Sequence, residues 1–313
     1  MTKKESGTVT GKRKDWITLC QLASFDDFVF RSFRQFNITK LVVDGYPKSA
    51  TFDYLLTLKK HKDFGFLVNL WGSIDNSLKP ETFIKHRGNN LSPATGRYIV
   101  NVCNYIRFFG ESILNKSICE IGAGWGGEMI AFNKIRKRHF PKETGDADYT
   151  IFDLTSSKEL IRRVANENGC KCKFNRLEDI ENRSFDLVFS NGAFSEMGRA
   201  LNEEYFEKII KNSKRGYFIC NFDVASVTIG GWDTEYFLTK LKKAGKKPRV
   251  LNIKKEISEY EDLVCNKLIV FGEDLNLGKV VKANKVALKI YRFLEILGRI
   301  NDRIKQLIVD IDM

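Results

Sequence analysis

Hydrophobic and polar positions follow three different rhythms along the chain. Up to about residue 110, apolar residues recur at helical spacing with irregular joints between the runs. Residues 16–36 carry Phe25, Phe28, Phe33 and Phe36 at that spacing, and residues 50–60 form a second amphipathic stretch. Ser92 then precedes Pro93, a capping side chain followed by a residue whose fixed φ suits the first helical position. The helix they open would carry Tyr98, Ile99, Val102, Tyr105, Ile106 and Phe109 and end at Gly110.

Between residues 116 and 273 the rhythm changes to short apolar runs alternating with helical patterns. Strands are predicted at 117–121, 149–152, 171–174, 185–189, 216–220 and 267–271. Helices are predicted over 126–138, 157–168, 205–211 and 234–244. Such alternation implies an α/β fold, a mainly parallel sheet with helices on both faces.

The third rhythm occupies 280–313. Val286, Ile290, Phe293, Leu297, Ile300, Ile304, Leu307 and Ile311 step by alternating fours and threes, a heptad seam with charges between its members. Leu294, Ile296 and Ile308 widen that face, which also suits a helix docked on its own domain. Self-association as a homo-oligomer through residues 284–311 is the favoured expectation. The division that follows is 1–110, a helical lid and acceptor region; 111–275, the α/β domain; and 280–313, a coiled-coil-like helix.

Composition narrows the picture. The 313 residues are 43% hydrophobic with 24 Phe, ample for a packed core, and no apolar run reaches the about 18 residues of a spanning helix. No apolar stretch follows the basic N-terminus, so a secretory signal is not expected. The seven Cys are scattered, and the pair Cys170–Cys172 lacks the two-residue gap of zinc and redox motifs. Reduced thiols in a cytoplasmic protein are the simplest reading. The net charge of +13 concentrates in Lys240, Lys242, Lys243, Lys246, Lys247, Arg249, Lys254 and Lys255, and in Lys134, Arg136, Lys137, Arg138 and Lys142. Such fields fit nucleic acid, anionic lipid or an acidic substrate, and equally a solvated face.

The chemistry-bearing segment is Glu120-Ile121-Gly122-Ala123-Gly124-Trp125-Gly126-Gly127-Glu128, between a strand and a helix. Glycines there permit a sharp bend and close approach to a ligand, and the helix N-terminus faces that ligand. Gly122, Gly124 and Gly127 satisfy the dinucleotide spacing G-x-G-x-x-G. Glu120 separates the readings, because an acid at the strand end repels pyrophosphate and suits a cationic ligand. An acid followed by G-x-G-x-G resembles motif I of class I S-adenosylmethionine-dependent methyltransferases. The resemblance implies a Rossmann-like fold and S-adenosyl-L-methionine as cofactor, held by Glu120, Gly122, Ala123, Gly124, Trp125 and Gly126. Asp153, at the end of the next strand with Leu154 after it, would accept hydrogen bonds from ribose hydroxyls. Glu178 or Asp179 would meet the adenine amino group. The surplus length between Glu120 and Asp153 is assigned to a basic loop over 136–148.

A narrower resemblance rests on Asp186-Leu187-Val188-Phe189-Ser190-Asn191-Gly192-Ala193-Phe194-Ser195-Glu196, on Arg215-Gly216-Tyr217 with Asn221, and on Leu91-Ser92-Pro93 with Arg97-Tyr98. These segments are similar to the sugar O-methyltransferases of bacterial surface-polysaccharide pathways over about residues 65–253. Gly192 departs from the bulky residue of that family and is expected to widen the acceptor pocket.

Residues 190–196 fall at the C-terminal end of the fourth strand, the crevice where open α/β sheets react. Ser190 is placed beside the cofactor, and Asn191 and Glu196 at the reaction. A sugar hydroxyl has a very high pKa, so a base is needed. Glu196 is the first candidate, its alternative role being to hold Arg97. His86, in the polar segment 85–90, is a second candidate base or a solvated loop histidine. Arg97 and Tyr98 would cover the cofactor's carboxylate end, unless Tyr98 is core packing. Asp223 would bind acceptor, metal or nothing, and no metal is predicted.

The resemblance implies a cytoplasmic O-methyltransferase acting on a glycan or nucleotide-sugar hydroxyl, and the basic face would equally suit an acidic sugar as acceptor. The basic face would give it a peripheral contact with the anionic inner membrane. Methylation followed by a coiled coil also resembles O-antigen chain termination. RNA methylation is the runner-up, not favoured because Ser190-Asn191-Gly192-Ala193 lacks the tetrapeptide used on base amines. A non-catalytic assembly subunit is the third reading.

Overall fold

In the computed structural model of the chain, residues 13–143, 145–181, 183–263 and 266–277 are described. The predicted seam at 284–311 lies outside the described residues. The main sheet has strands β1 (Ile118–Ile121), β2 (Tyr149–Phe152), β3 (Lys173–Asn175), β4 (Leu187–Asn191), β5 (Arg215–Cys220), β6 (Arg249–Leu251) and β7 (Lys267–Phe271). Their spatial order is β3-β2-β1-β4-β5-β7-β6. The first five are parallel, and β7 runs antiparallel between β5 and β6. This is the Rossmann-like sheet that the resemblance implied. The order reverses between β1 and β4, so a crevice opens beyond their carboxyl ends.

β1, β2, β4 and β5 are almost entirely buried, as expected for apolar runs covered on both faces. Gly216 in β5 admits the Phe271 ring, since a Cβ there would lie 2.1 Å from it. One apolar core fills the face of the sheet beneath the N-terminal helices, and a second fills the opposite face. The N-terminal helices therefore share their core with the sheet.

Local signals hold where they were strong. Ser92 Oγ accepts from the Thr95 amide at 3.3 Å, and the helix Pro93–Phe109 ends at Gly110. That helix is buried nearly all round, between Lys48–Leu58 and Gly127–His139. Differences arise where the pattern is short or two-sided. The third strand begins at Lys173, two residues later than expected, and the helix expected at 205–211 is Arg199–Lys208, opening after Gly198. Helix Phe64–Leu78 and strand β6 were not anticipated. The segment expected as a polar loop before Ser92 is a hairpin, Ile84–His86 paired with Asn89–Leu91. Its turn is Arg87-Gly88, both at positive φ, the geometry that tight two-residue hairpins prefer. Of the N-terminal aromatics, Phe33 is buried while Phe25 and Phe28 are exposed. No described helix is long and apolar enough to cross a membrane.

A buried polar node joins the N-terminal region to the sheet. Arg34 is fully enclosed. Its Nε reaches Asp44 at 2.7 Å, Nη1 reaches Asp75 at 2.8 Å and Nη2 donates to Ser92 Oγ at 3.0 Å. Its guanidinium lies 4.6 Å from the Trp125 ring centroid, and Trp125 Nε1 donates to Asp44 at 3.1 Å. Asp75 also accepts from the Ser92 amide and the Thr95 hydroxyl. Desolvation of three charges is offset here by charge-assisted bonds on every side. Arg34→Met leaves two buried carboxylates without a counter-charge and should cost about 3–5 kcal/mol of stability. Lys40→Ala breaks the exposed Lys40–Glu81 pair and should cost at most about 1 kcal/mol. Urea unfolding of both variants checks this, and equal losses would count against the node.

Candidate functional site

The bend after β1 is held from three sides. Gly122 and Gly124 have φ of +78° and +58°. A Cβ on Gly122 would lie 2.0 Å from Ala193 Cβ, so the bend packs directly on the segment after β4. A Cβ on Gly124 would lie 2.9 Å from Val43, so the N-terminal region rests on the same bend. Asp153, just past β2, fixes the loop by accepting from the Gly124 amide at 2.9 Å and from the Leu154 amide at 2.6 Å.

Beyond these strand ends lies a cavity of about 480 Å³. Glu120, Gly122, Ala123, Gly124, Asp153 and Leu154 form its floor, and Leu41–Tyr46 contributes to its walls. Arg97, Tyr98, Glu178, Asn191 and Glu196 also line it. The structure thus brings these eleven predicted site residues to one cavity.

Five others are placed elsewhere. Trp125 turns into the core, stacking edge-on with Tyr98 at 5.5 Å and bonding Asp44, so it braces the bend rather than facing a ligand. Gly126 caps the following helix and is not on the cavity wall. Ser190 Oγ donates to the Ile121 carbonyl at 2.7 Å and accepts from the Phe194 amide at 3.0 Å, tying β1 to the segment after β4. Asp179 is outside the cavity, held by Arg176 at 2.7 and 2.8 Å, which leaves Glu178 as the acid at the rim. His86 is buried in the hairpin and is not a cavity residue, because the turn at Arg87-Gly88 directs the segment back along its neighbour strand. Asp223, left open between roles, accepts from Lys267 and Thr234 outside the cavity. No group of metal-binding side chains gathers among the described residues.

The cavity is acidic although the whole chain is basic. Glu120 is buried at the end of β1 and accepts from the Tyr149 hydroxyl at 2.7 Å. Burial, then repulsion from Glu128, raises its carboxyl well above the usual range. Glu128 sits in the first turn of helix Gly127–His139 and accepts from Tyr105, Asn101 and Asn191. Burial raises its pKa to about 7 despite those donors. Because the Asn191 amide nitrogen is engaged by Glu128, its Oδ1 is left as an acceptor with no partner among the described residues.

Glu196 sits over Gly192, which lies at φ +101°; a Cβ there would be 4.0 Å from Glu196 Oε1. Its surface reaches solvent, yet enclosure by the cavity walls raises its carboxyl above the usual range, with Arg97 opposing. Arg97 is not held by Glu196. It pairs instead with buried Glu261 at 2.8 Å and lies 5.2 Å from the Tyr46 ring. No hydrogen bond or ion pair among the described residues engages the Glu196 carboxylate, so it is available for proton transfer.

Glu128, Asn101 and Glu261 were missed from the sequence. Glu128 was in view at the end of the glycine motif, and the spacing of four between Arg97, Asn101 and Tyr105 puts them on one face of their helix. On that helix Arg97 was read as cofactor cover and Tyr105 as an apolar helix position, and Asn101 between them was passed over. Nothing local marks Glu261.

No protein-family model matches this chain, and no curated protein matches it either. Among solved structures, an O-methyltransferase family protein from Burkholderia thailandensis gives a TM-score of 0.41 at 12% identity; the match covers 57% of this chain and spans 57% of that one. The mitomycin 7-O-methyltransferase MmcR gives 0.40 at 13% identity, over 78% of this chain and 68% of its own. The methyltransferase domain of bacterial CtHen1 gives 0.39 at 11% identity, over 56% and 97%. Each is a partial likeness of backbone outline.

The Glu128 shift has a definite sign. The folded chain keeps this proton up to about pH 7, whereas an unfolded glutamate loses it near about pH 4.3. Its contribution to stability is therefore present at low pH and falls as pH rises through that window. Thermal melts should show the wild type losing stability relative to Glu128→Gln between about pH 5 and pH 7.5. A constant difference across that range would contradict the shift.

Proposed function

We propose that the chain is an S-adenosylmethionine-dependent O-methyltransferase acting on a sugar hydroxyl of a bacterial surface glycan. The observation that carries the reading is the buried acidic cavity built on the bend at Gly122–Gly124, with Glu120 and Asp153 at adjoining strand ends. A volume of about 480 Å³ suits a nucleoside-sized ligand with room for part of an acceptor. The donor set fits this cofactor better than a dinucleotide. Glu120, Glu128, Asp153, Glu178, Glu196 and Glu204 face the cavity, a lining that opposes pyrophosphate and favours a cation.

Bound S-adenosylmethionine supplies an electrophilic methyl group on a positive sulfur. The chain's own residues do the rest. Asp153, already aligned by two backbone amides, has lone pairs for ribose hydroxyls. Glu178 stands at the rim for the adenine amino group. Glu120 and Glu128, whose raised pKa values keep them largely protonated, yield those protons when a cation lies beside them. Glu196 takes the proton from the acceptor hydroxyl as its oxygen attacks. Its raised pKa holds it nearer the working pH than an ordinary carboxylate. The walls from Leu41 to Tyr46 and from helix Pro93–Phe109 position the two partners, which is where much of the rate of an in-line displacement originates.

The heptad seam at 284–311, outside the described residues, supports a homo-oligomer and a role in capping the non-reducing end of a growing chain. The basic stretches support a cytoplasmic enzyme in peripheral contact with the inner membrane.

Calorimetry on the full chain should show binding of S-adenosylhomocysteine and none of NADH, with Glu120→Lys abolishing the former; the reverse preference would end the reading. In methyl transfer from labelled cofactor onto surface-glycan extracts, Glu196→Gln should lower turnover by about 10²–10⁴-fold. It should leave S-adenosylhomocysteine affinity near that of the wild type. Full activity would make Glu196 a structural residue.

A further inference from the structure

Resting on that reading, we infer that the acceptor entering this cavity is an uncharged polyhydroxyl ring, and that Glu261 sets the preference by cancelling the charge of Arg97. An acidic sugar, a nucleoside diphosphate or a phosphodiester needs at least one available cation at the cavity wall. Among the described residues the wall holds two, Arg97 and Arg176, and both are already matched. Arg176 stands at the rim, with Glu178 at 3.0 Å and Asp179 on its other nitrogens. Arg97 is nearly buried and pairs with Glu261 at 2.8 Å. Glu261 has no solvent exposure. It is fixed in turn by Asn266, by the Tyr54 hydroxyl at 3.4 Å and by the Ser258 hydroxyl, which accepts from its amide. Should Arg97 also take the cofactor's carboxylate, still less of its charge remains for an acceptor.

The groups beside this pair are those that recognise hydroxyls. Asn191, Asn221 and Asn266 line the cavity. Tyr46 and Tyr260 meet edge to face at 5.5 Å and give the wall aromatic surface with polar edges. Glu196 completes the set as an unpaired carboxylate that an incoming anion would face directly. Like charges brought together in such an enclosure repel strongly enough for discrimination of more than about tenfold.

The experiment begins with S-adenosylhomocysteine calorimetry on the full chain, so failure of the cofactor reading shows before any acceptor is added. Methyl glycosides of common neutral hexoses and 6-deoxyhexoses, the matching methyl uronates and UDP-glucose are then titrated into the loaded protein by saturation-transfer NMR. Neutral glycosides should bind at least about tenfold more tightly than uronates, with UDP-glucose weakest. Comparable or tighter binding of a uronate or of UDP-glucose overturns the inference, as does failure of every neutral glycoside to bind. Glu261→Gln exposes the charge of Arg97 and should raise uronate affinity at least about tenfold relative to the neutral counterpart. An unchanged ratio in the folded variant overturns the role of Glu261. Should that variant not fold, the wild-type panel decides on the uncharged acceptor and Glu261→Asp tests the residue, its shortened reach predicting a smaller shift in the same direction.

Discussion

The Arg34 guanidinium is the joint on which the rest depends. Four stretches of chain meet at it: the N-terminal helices through Arg34 itself, the segment joining cavity residues Val43 and Gly45 through Asp44, helix Phe64–Leu78 through Asp75, and the start of helix Pro93–Phe109 through Ser92 and Thr95. The Trp125 ring, stacked on the same guanidinium, extends the joint into the glycine bend. A buried ion cluster of this kind adds little net stability over an apolar replacement, but it tolerates almost no change of geometry. It therefore fixes how the helical region sits over the sheet. Val43 reaches Gly124 because Asp44, one residue on, is anchored in place.

With that frame fixed, the cavity follows from the sheet order. β1 and β4 part at their carboxyl ends, and the segment after β4 returns across the gap because Ser190 ties it to Ile121 and Ala193 fills the space that Gly122 leaves. The residues that remain on the wall are mostly acids, several held close to neutrality by burial. A cationic ligand lowers the pKa of such acids, so its binding is coupled to proton release.

How much of this was legible depended on the range of the interaction. Ser92-Pro93, the acid before the glycines and the aspartate ending β2 are local signals, and the elements and cavity positions they indicate are where the structure has them. Trp125 and Ser190 were misassigned because sequence gives proximity to a site without side-chain direction; both point into packing that supports the bend. His86 was misread because a two-residue turn built on Arg87, which is not a usual turn former, hid a hairpin. β6, three residues long and largely exposed, has too few apolar positions to stand out. The partners of Glu128 and of Arg97 come from other elements entirely, so no spacing along the chain could disclose them.

The contrast between a net charge of +13 on the chain and an acidic interior has a directional consequence. The long-range field draws in molecules bearing phosphate or carboxylate, while the short-range field turns those same groups away from the floor of the crevice. A compound with one charged end and one uncharged end would thus arrive aligned, neutral end foremost. Orientation would then be settled by charge alone, before any hydroxyl is touched.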